Sequence, residues 1–434
     1  MSASHTGTPG PAADPKSAPS AAPRGLGRGF WTLFSSSTVS NLADGMGRVA
    51  LPLLAVSLTR EPVLVAALTS LTFLPWLLFA VVSGALVDRV DRRRAMIAAQ
   101  VVRTVIVGLL GAAVLTGQAA LWMLYVAAFA LGAVETLYDN AAHSMTPAVV
   151  RRDQLEKANG RVEAASVVAD SFLGAPLASA LFVAAAALPF LANSTLFLLA
   201  GVLLLFLPGR YRAEPAAGAG RPANLRAEIA EGVRWLWNHR LLRGLTAISS
   251  LHGAVFQGVT AVTVLLVTDL LRLPAAAYGW FVLTGGIGGV VGGLIAPVLT
   301  RRWPRAVVMA VALTTPGVCF VLIAALPFPA TLAVATMLGA GSIMVWNILI
   351  MSLRQALVPP ALFGRVLGAI RTVLWGFMPL GALCGGLLAE AFGLRALAVI
   401  GGCLMLLLMV PLGLILHRHR AVLRTLNSSD TVDT

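Results

Sequence analysis

Glu135, Asp139 and His143 stand four positions apart in GAVETLYDNAAHS, a stretch whose flanks are apolar enough to be membrane span. On a helix that spacing stacks the three side chains in one stripe. Two carboxylates and an imidazole in a stripe can pass a proton, latch against a cation, or meet water near the membrane surface. A second constellation lies earlier, where Ser37, Asn41, Asp44 and Arg48 recur at helical spacing and share a face. Asp44 and Arg48, one turn apart, can pair on their own helix. Two roles stay open for that pair. It is a self-neutralising structural contact, or Asp44 carries a proton and Arg48 competes for the carboxylate until a ligand or a conformational change separates them. Asp170 and Arg371 also fall inside apolar runs, where an ionisable group costs about 2.5–3.5 kcal/mol on insertion scales and marks a functional candidate.

The elements that position these groups follow from composition. The 434 residues are 58% hydrophobic and 12% charged, with mean hydropathy +0.85, which excludes an ordinary soluble domain. Apolar runs of about 20 residues recur along the chain, the length of a bilayer-spanning helix. The predicted fold class is therefore all-α integral membrane protein, with about twelve spans. They lie near 31–57, 62–87, 95–116, 120–142, 163–186, 188–207, 243–268, 276–299, 306–326, 329–351, 366–389 and 393–416. Residues 1–29, rich in Ala, Pro, Gly and Ser, read as a disordered tail and not a signal peptide, and 417–434 as a second tail. Cys319, Cys384 and Cys403 lie in apolar runs without pair or metal spacing and read as small core residues.

The net charge of +14 is a topology signal and not a nucleic-acid signal. Arginines crowd one set of alternate loops, while the opposite set holds only Arg60, Arg272 and Arg395. The positive-inside rule places the basic set and both termini in the cytoplasm, where it also favours anionic lipid headgroups. Within the linker 209–242, Leu225, Ile229, Val233 and Leu236 recur at helical spacing, predicting an amphipathic helix on the inner membrane surface.

Two halves are also legible. Gly84 and Gly293 open similar segments (GALVDRVDRRR, GLIAPVLTRRWPR) that end the second and eighth spans, one six-span repeat apart, and Gly160 and Gly364 recur at a like distance before the fifth and eleventh. The expected domains are a six-helix bundle over 30–208 and another over 243–416. The Gly84–Gly293 spacing sets Gln257, beside His252, opposite Arg48, and the spacing of Pro147 and Pro359 sets Asn347 opposite Glu135. Asn41, Arg48, Gln257, Asn347 and Arg371 are then candidates for a cargo cavity, and Asp44, Glu135 and Asp170 for proton coupling. Gln257 and Asn347 serve equally well as helix–helix glue. His143, about 18 Å from the midplane at 1.5 Å per residue, reads as solvated. Trp76, Phe129, Tyr138, Trp346, Trp375 and Phe377 supply a cavity wall, face lipid or pack in the core.

The loop GALVDRVDRRRAM resembles the cytoplasmic signature of the major facilitator superfamily at Gly84, Asp88, Arg89, Arg92 and Arg93, with Asp91 where the signature has its second Gly. LGAPLAS resembles that superfamily's antiporter motif in degenerate form at Gly174 and Pro176. Gly132 fits the fourth-helix motif, although the arginine expected four residues earlier is Ala128. The whole of 30–416 resembles the twelve-span drug and siderophore exporters of the macrolide-efflux and enterobactin-exporter branch. That resemblance implies two pseudo-symmetric bundles, spans one, four, seven and ten around a cavity, and a cytoplasmic gate of Asp88 and the arginines. Asp139, about two turns deeper than the acid such transporters pair with the loop arginines, is one candidate latch to Arg92, and Asp153 is the competing partner. It also sets the fifth and eleventh spans at the interface of the halves, where Asp170 and Arg371 have an inter-half ion pair open to them. It further implies a proton-coupled exporter of an amphipathic organic molecule, functional as a monomer in the cell membrane. A uniporter or importer, and a transport-inactive receptor or assembly partner, are the alternatives. The sequence has no G-x-x-x-x-G-K-[ST] loop and no nucleophile or metal constellation, so neither ATP-driven pumping, catalysis nor a cofactor is expected.

Overall fold

The computed structural model describes residues 26–87, 90–151, 154–209, 211, 225–359 and 362–419. Asp88, Arg89, Asp153, the loose part of the linker and most of both expected tails lie outside the described residues. Where an apolar run exceeds a bilayer thickness, the backbone satisfies its own polar groups as helix. In chain order these are α1 (Gly27–Leu58), α2 (Pro62–Val87), α3 (Arg92–Leu115) and α4 (Leu121–Val149). The fifth crossing joins α5 (Leu155–Val167), a π-helical segment (Val168–Gly174) and α6 (Ala175–Ala184), and α7 (Leu188–Leu205) ends the first half. The linker helix is α8 (Leu225–Asn238). The second half begins with α9 (Arg240–Thr260), continued through the short α10 (Thr263–Leu265) and a second π-helical segment (Leu266–Leu270). It runs on through α11 (Ala277–Arg302), α12 (Arg305–Ala325), α13 (Pro329–Leu357), α14 (Phe363–Phe392), α15 (Leu394–Leu407) and α16 (Met409–Arg418).

Among the described residues, eleven crossings are long and apolar enough to span a bilayer. α1, at 32 residues, makes twelve; the polar stripe of Ser37, Asn41, Asp44 and Arg48 lowers its mean hydropathy. α4 continues past the expected end at 142 to Val149, so Glu135, Asp139 and His143 share one unbroken helix.

The two halves repeat the same helix crossing. Gly45 of α1 presses on the Asp170 carbonyl, and Gly174 on the Leu42 carbonyl and Gly45. In the second half Gly258 of α9 presses on the Gly381 carbonyl and Gly385 of α14. A Cβ at either crossing would collide with backbone, which is why small residues stand there. These contacts correct the expected pairing of the repeats. Gln257 is the counterpart of Asp44, not of Arg48, and Gly381 that of Asp170. α4 and α13 are both 29 residues long, and end-to-end alignment sets Asn347 opposite Asp139, with Glu135 opposite Ile343.

The halves close on each other at the end away from the basic loops. There one core joins Leu53, Val56 and Ala66 to Val264, Leu265 and Ala389. Arg60 donates to Asp269 at 2.7 Å and to Thr268 at 3.0 Å. Ser70 donates to the Pro379 carbonyl at 2.6 Å, and the Gly279 amide to Ser179 at 3.1 Å. Nearer the middle, Trp76 and Trp375 meet with ring centres 4.6 Å apart. The described cores at the basic end each belong to one half, so the space between the halves widens in that direction.

The linker helix docks on protein. Leu236 packs with Val366 and Ile370 of α14, Gly232 sits on the Arg365 carbonyl, and Glu231 pairs with Arg365. Val233, expected on the same apolar stripe as Leu236, is exposed. The cysteines also divide: Cys319 is buried, whereas Cys384 and Cys403, expected in the core, are exposed.

Candidate functional site

Midway along the N-terminal half, α1, α4 and α7 close around one guanidinium carried by α3. Arg103 of α3 is buried to 1% exposure, the largest fully buried side chain among the described residues. Its carbon lies 5.0 Å from the Tyr138 ring centre and 5.1 Å from that of Phe197, a cation–π sandwich that seals two faces. The edge meets Ser40 at 3.3 Å and Asp44 at 3.4 Å. Gln100, one turn earlier, donates to Ser40 at 2.9 Å. Glu135 and Asp139 of α4 complete the surround, their charges acting on Arg103 together with that of Asp44. The sequence reading passes over Arg103, although an arginine in the middle of an apolar run is itself the signal.

Arg48 does not pair with Asp44 as expected. Its guanidinium pairs with Asp170 on the first π-helical segment, and Ser171 donates to the same carboxylate at 3.1 Å. The physical reason is the crossing at Gly45, which brings the Asp170 backbone against α1 and leaves Asp44 to Arg103. Arg48 is 64% exposed in its side chain while Asp170 is 12% exposed, so the pair borders open space between the halves. Its charge acts on Glu135, Asp139 and Tyr278 of α11 as well. Two arginines and four carboxylates thus form one electrostatic network.

The expected inter-half pair of Asp170 with Arg371 does not form. Arg371 is exposed on α14, with its charge directed at Arg354 near the end of α13. Asp139 is likewise no latch to Arg92. It lies in the field of Arg103, while Arg92 donates to the Ser144 carbonyl at 3.2 Å. His143 is exposed. His252 is buried and turned away from the cavity, its Nε2 meeting the Leu313 carbonyl at 3.2 Å.

The charged loop works through backbone. Asp91, in place of the signature glycine, caps α3 by accepting from the Arg94 amide at 3.1 Å. Its other oxygen accepts from the Tyr211 amide at 3.1 Å, and the Arg92 amide donates to the Tyr211 carbonyl at 3.2 Å. Arg93 donates to the carbonyls of Leu204 at 2.8 Å and Leu205 at 2.7 Å, satisfying the orphan end of α7. Gly84 lies in α2. Pro176 is the second residue of α6, directly after the π-helical segment.

The C-terminal half offers a different surface. Phe256, Tyr278, Phe281 and Phe320 line an apolar pocket of about 180 Å³, with Phe256 and Phe320 stacked at 5.7 Å. Ala340 lines the same pocket; Asn347, about two turns further on the same face of α13, is exposed. Gln257 is half-buried. Of the aromatic candidates, Trp346 is packing, donating to Ser249 at 3.2 Å, and Phe129 rests on Phe79.

Comparison with known proteins agrees with this architecture. The profile of the Major Facilitator Superfamily matches residues 33–379. The multidrug efflux pump Tap of Mycobacterium tuberculosis is 29% identical over 395 residues, 85% of this chain and 89% of that one. Macrolide efflux protein A of Streptococcus pyogenes is 21% identical over 384 residues, covering 87% and 93%. Among solved structures, the nucleoside transporter NupG superposes with TM-score 0.75 at 12% identity, covering 90% of this chain and 99% of its own. A bacterial homologue of the iron transporter ferroportin, in an inward-facing state, gives 0.67 at 16% identity, covering 89% and 98%. With helical crossings in two repeated halves and a matched profile over most of its length, the chain belongs to the major facilitator superfamily.

Proposed function

We propose that this protein is a proton-coupled exporter of an amphipathic small organic molecule in the cell membrane, working as a monomer by alternating access. The carrying observation is the charge imbalance in the N-terminal half. Asp44, Glu135, Asp139 and Asp170 share a network with two guanidiniums, Arg48 and Arg103. The two negative charges left over at full ionisation are costly inside a membrane protein, and protons or a polar cargo group offset them. Competition between those two occupants is the coupling. The apolar pocket around Phe256 and Phe320 receives the greasy part of the cargo. Loops rich in arginine face the cytoplasm, so the space between the halves opens inward and takes cargo from that side. The likeness to the Tap pump and macrolide efflux protein A supports export.

The test is proton movement in inverted membrane vesicles challenged with macrolides and other amphipathic drugs. Wild type is expected to release protons from the lumen when cargo is added, and Asp44→Asn and Glu135→Gln to lose that response at least tenfold. If both variants respond as wild type does, the coupling assignment is wrong.

A further inference from the structure

α11 and α12 are consecutive, yet they stand apart and both rest on α13. Glycine is the reason. Gly288 and Gly292 of α11 lie backbone to backbone against Met337 and Gly341 of α13, where any Cβ would collide with a carbonyl oxygen. Drawing α11 onto α13 leaves a furrow beside α12 with a volume of about 380 Å³. Its walls include Val291, Ile295, Val307, Val311 and Leu338, all exposed.

The furrow faces the membrane. Gly286 packs on Ser171 of the other half, and Ile295, about two and a half turns further along α11, occupies the opposite face. Two hydroxyls line the furrow, and both bond back to their own helices: Thr315 to the Val311 carbonyl at 2.8 Å and Ser342 to the Gly339 carbonyl at 2.9 Å. Its walls therefore recognise hydrocarbon. At the basic end the furrow reaches Trp303, which is 57% exposed, between Arg301, Arg302 and Arg305. Tryptophan and arginine at that level are the residue types that meet lipid headgroups.

We propose that this furrow binds an anionic phospholipid, with one acyl chain lying along α13 between α11 and α12 and its phosphate at Arg301 and Arg302. A pure hydrocarbon would gain nothing from the arginines. A zwitterionic lipid brings an ammonium that offsets its phosphate. A cargo molecule with polar groups along its length finds no partner in the walls.

The full chain, purified and delipidated in mild detergent, is titrated with phosphatidylglycerol or with phosphatidylcholine of the same acyl chains. Retention is counted by native mass spectrometry and the melting temperature is followed in parallel. Wild type is expected to prefer phosphatidylglycerol by roughly fivefold per arginine engaged. Arg301→Gln with Arg302→Gln should erase the preference while leaving phosphatidylcholine retention unchanged. Val311→Trp, which fills the furrow, should lower retention of both lipids. Equal retention of the two lipids by wild type overturns the proposal, as does a preference that survives in both variants. If the Val311→Trp protein melts too low to assay, Val311→Leu is the smaller filling, and unchanged retention there counts against the site.

Discussion

Arg103 of α3 and Asp44 of α1 face each other at 3.4 Å, the guanidinium 1% and the carboxylate 21% exposed. Tyr138 and Phe197 cover the arginine, so its countercharge comes from the side of the acids alone. Leaving one buried charge without its partner costs more than removing both. Arg103→Leu is expected to lower stability by about 3–5 kcal/mol, and adding Asp44→Leu to recover most of it. Melting curves of the four proteins in detergent check this. A double variant as unstable as the single one would sink the pairing.

Arg48 and Asp170 carry opposite charges on the two helices that cross at Gly45. Asp170→Arg alone sets two cations together and should cut transport at least tenfold, a loss of about 1.4 kcal/mol or more. Exchanging both, Arg48→Asp with Asp170→Arg, should restore a measurable part of it. Drug uptake into inverted vesicles is the readout, and no recovery in the exchanged protein would refute the contact.

The Arg60–Asp269 pair ties the halves together at the closed end, with side chains 61% and 38% exposed. A pair so exposed contributes about 0–1 kcal/mol. Asp269→Asn should therefore raise the population open at that end by no more than about fivefold. Distances between spin labels at positions 61 and 271 report the balance; an unaltered distribution means the pair holds nothing closed.

Asp91 accepts from two backbone amides, one capping α3 and one on Tyr211. Asp91→Ala should cost about 1 kcal/mol for the cap, and Asp91→Gly only a few tenths for that part while still losing the tie to Tyr211. The order of melting temperatures is predicted as wild type, then Gly, then Ala. Hydrogen exchange at the start of α3 provides a local check, since only loss of the cap raises it there.

His239 caps α9 by accepting the Leu242 amide at 3.3 Å through Nδ1, a role that needs a neutral ring. Burial lowers its pKa from the usual histidine value, opposed by a backbone hydrogen bond and assisted by the charge of His419. The unfolded chain then binds more protons as pH falls, so this contribution is complete above about pH 6.5 and declines below it. His239→Asn, which caps without titrating, should flatten that part of the stability–pH curve between about pH 5 and 7. Identical slopes for the two proteins would count against the cap.

Much of the fold can be read from spacing alone. Span boundaries inferred from apolar runs fall close to the helix ends at α2, α7 and α12, because hydrocarbon leaves the backbone no other choice than helix. α4 runs longer than its apolar stretch because a helix continues as long as its hydrogen bonds close, whatever the polarity of its side chains. Acids were visible as candidates one helix at a time, and their partners were not. Asp44 looked to Arg48 because both lie on one strip of sequence, and Arg371 looked available to Asp170 because the family resemblance set both spans at the interface of the halves.

By itself, then, the sequence determined a twelve-crossing helical membrane protein in two repeated halves, with ionisable residues held inside at a cost that chance does not tolerate. Only the tertiary structure decided which charges meet. Glycine at Gly45 and Gly174 lets α1 and the fifth crossing approach to backbone contact, which gives Asp170 to Arg48 and leaves Asp44 to an arginine from α3. Pairing energies fall off over a few ångströms. The partners of a buried charge are therefore set by how closely helices pack, a property of two surfaces together that no single stretch of chain encodes.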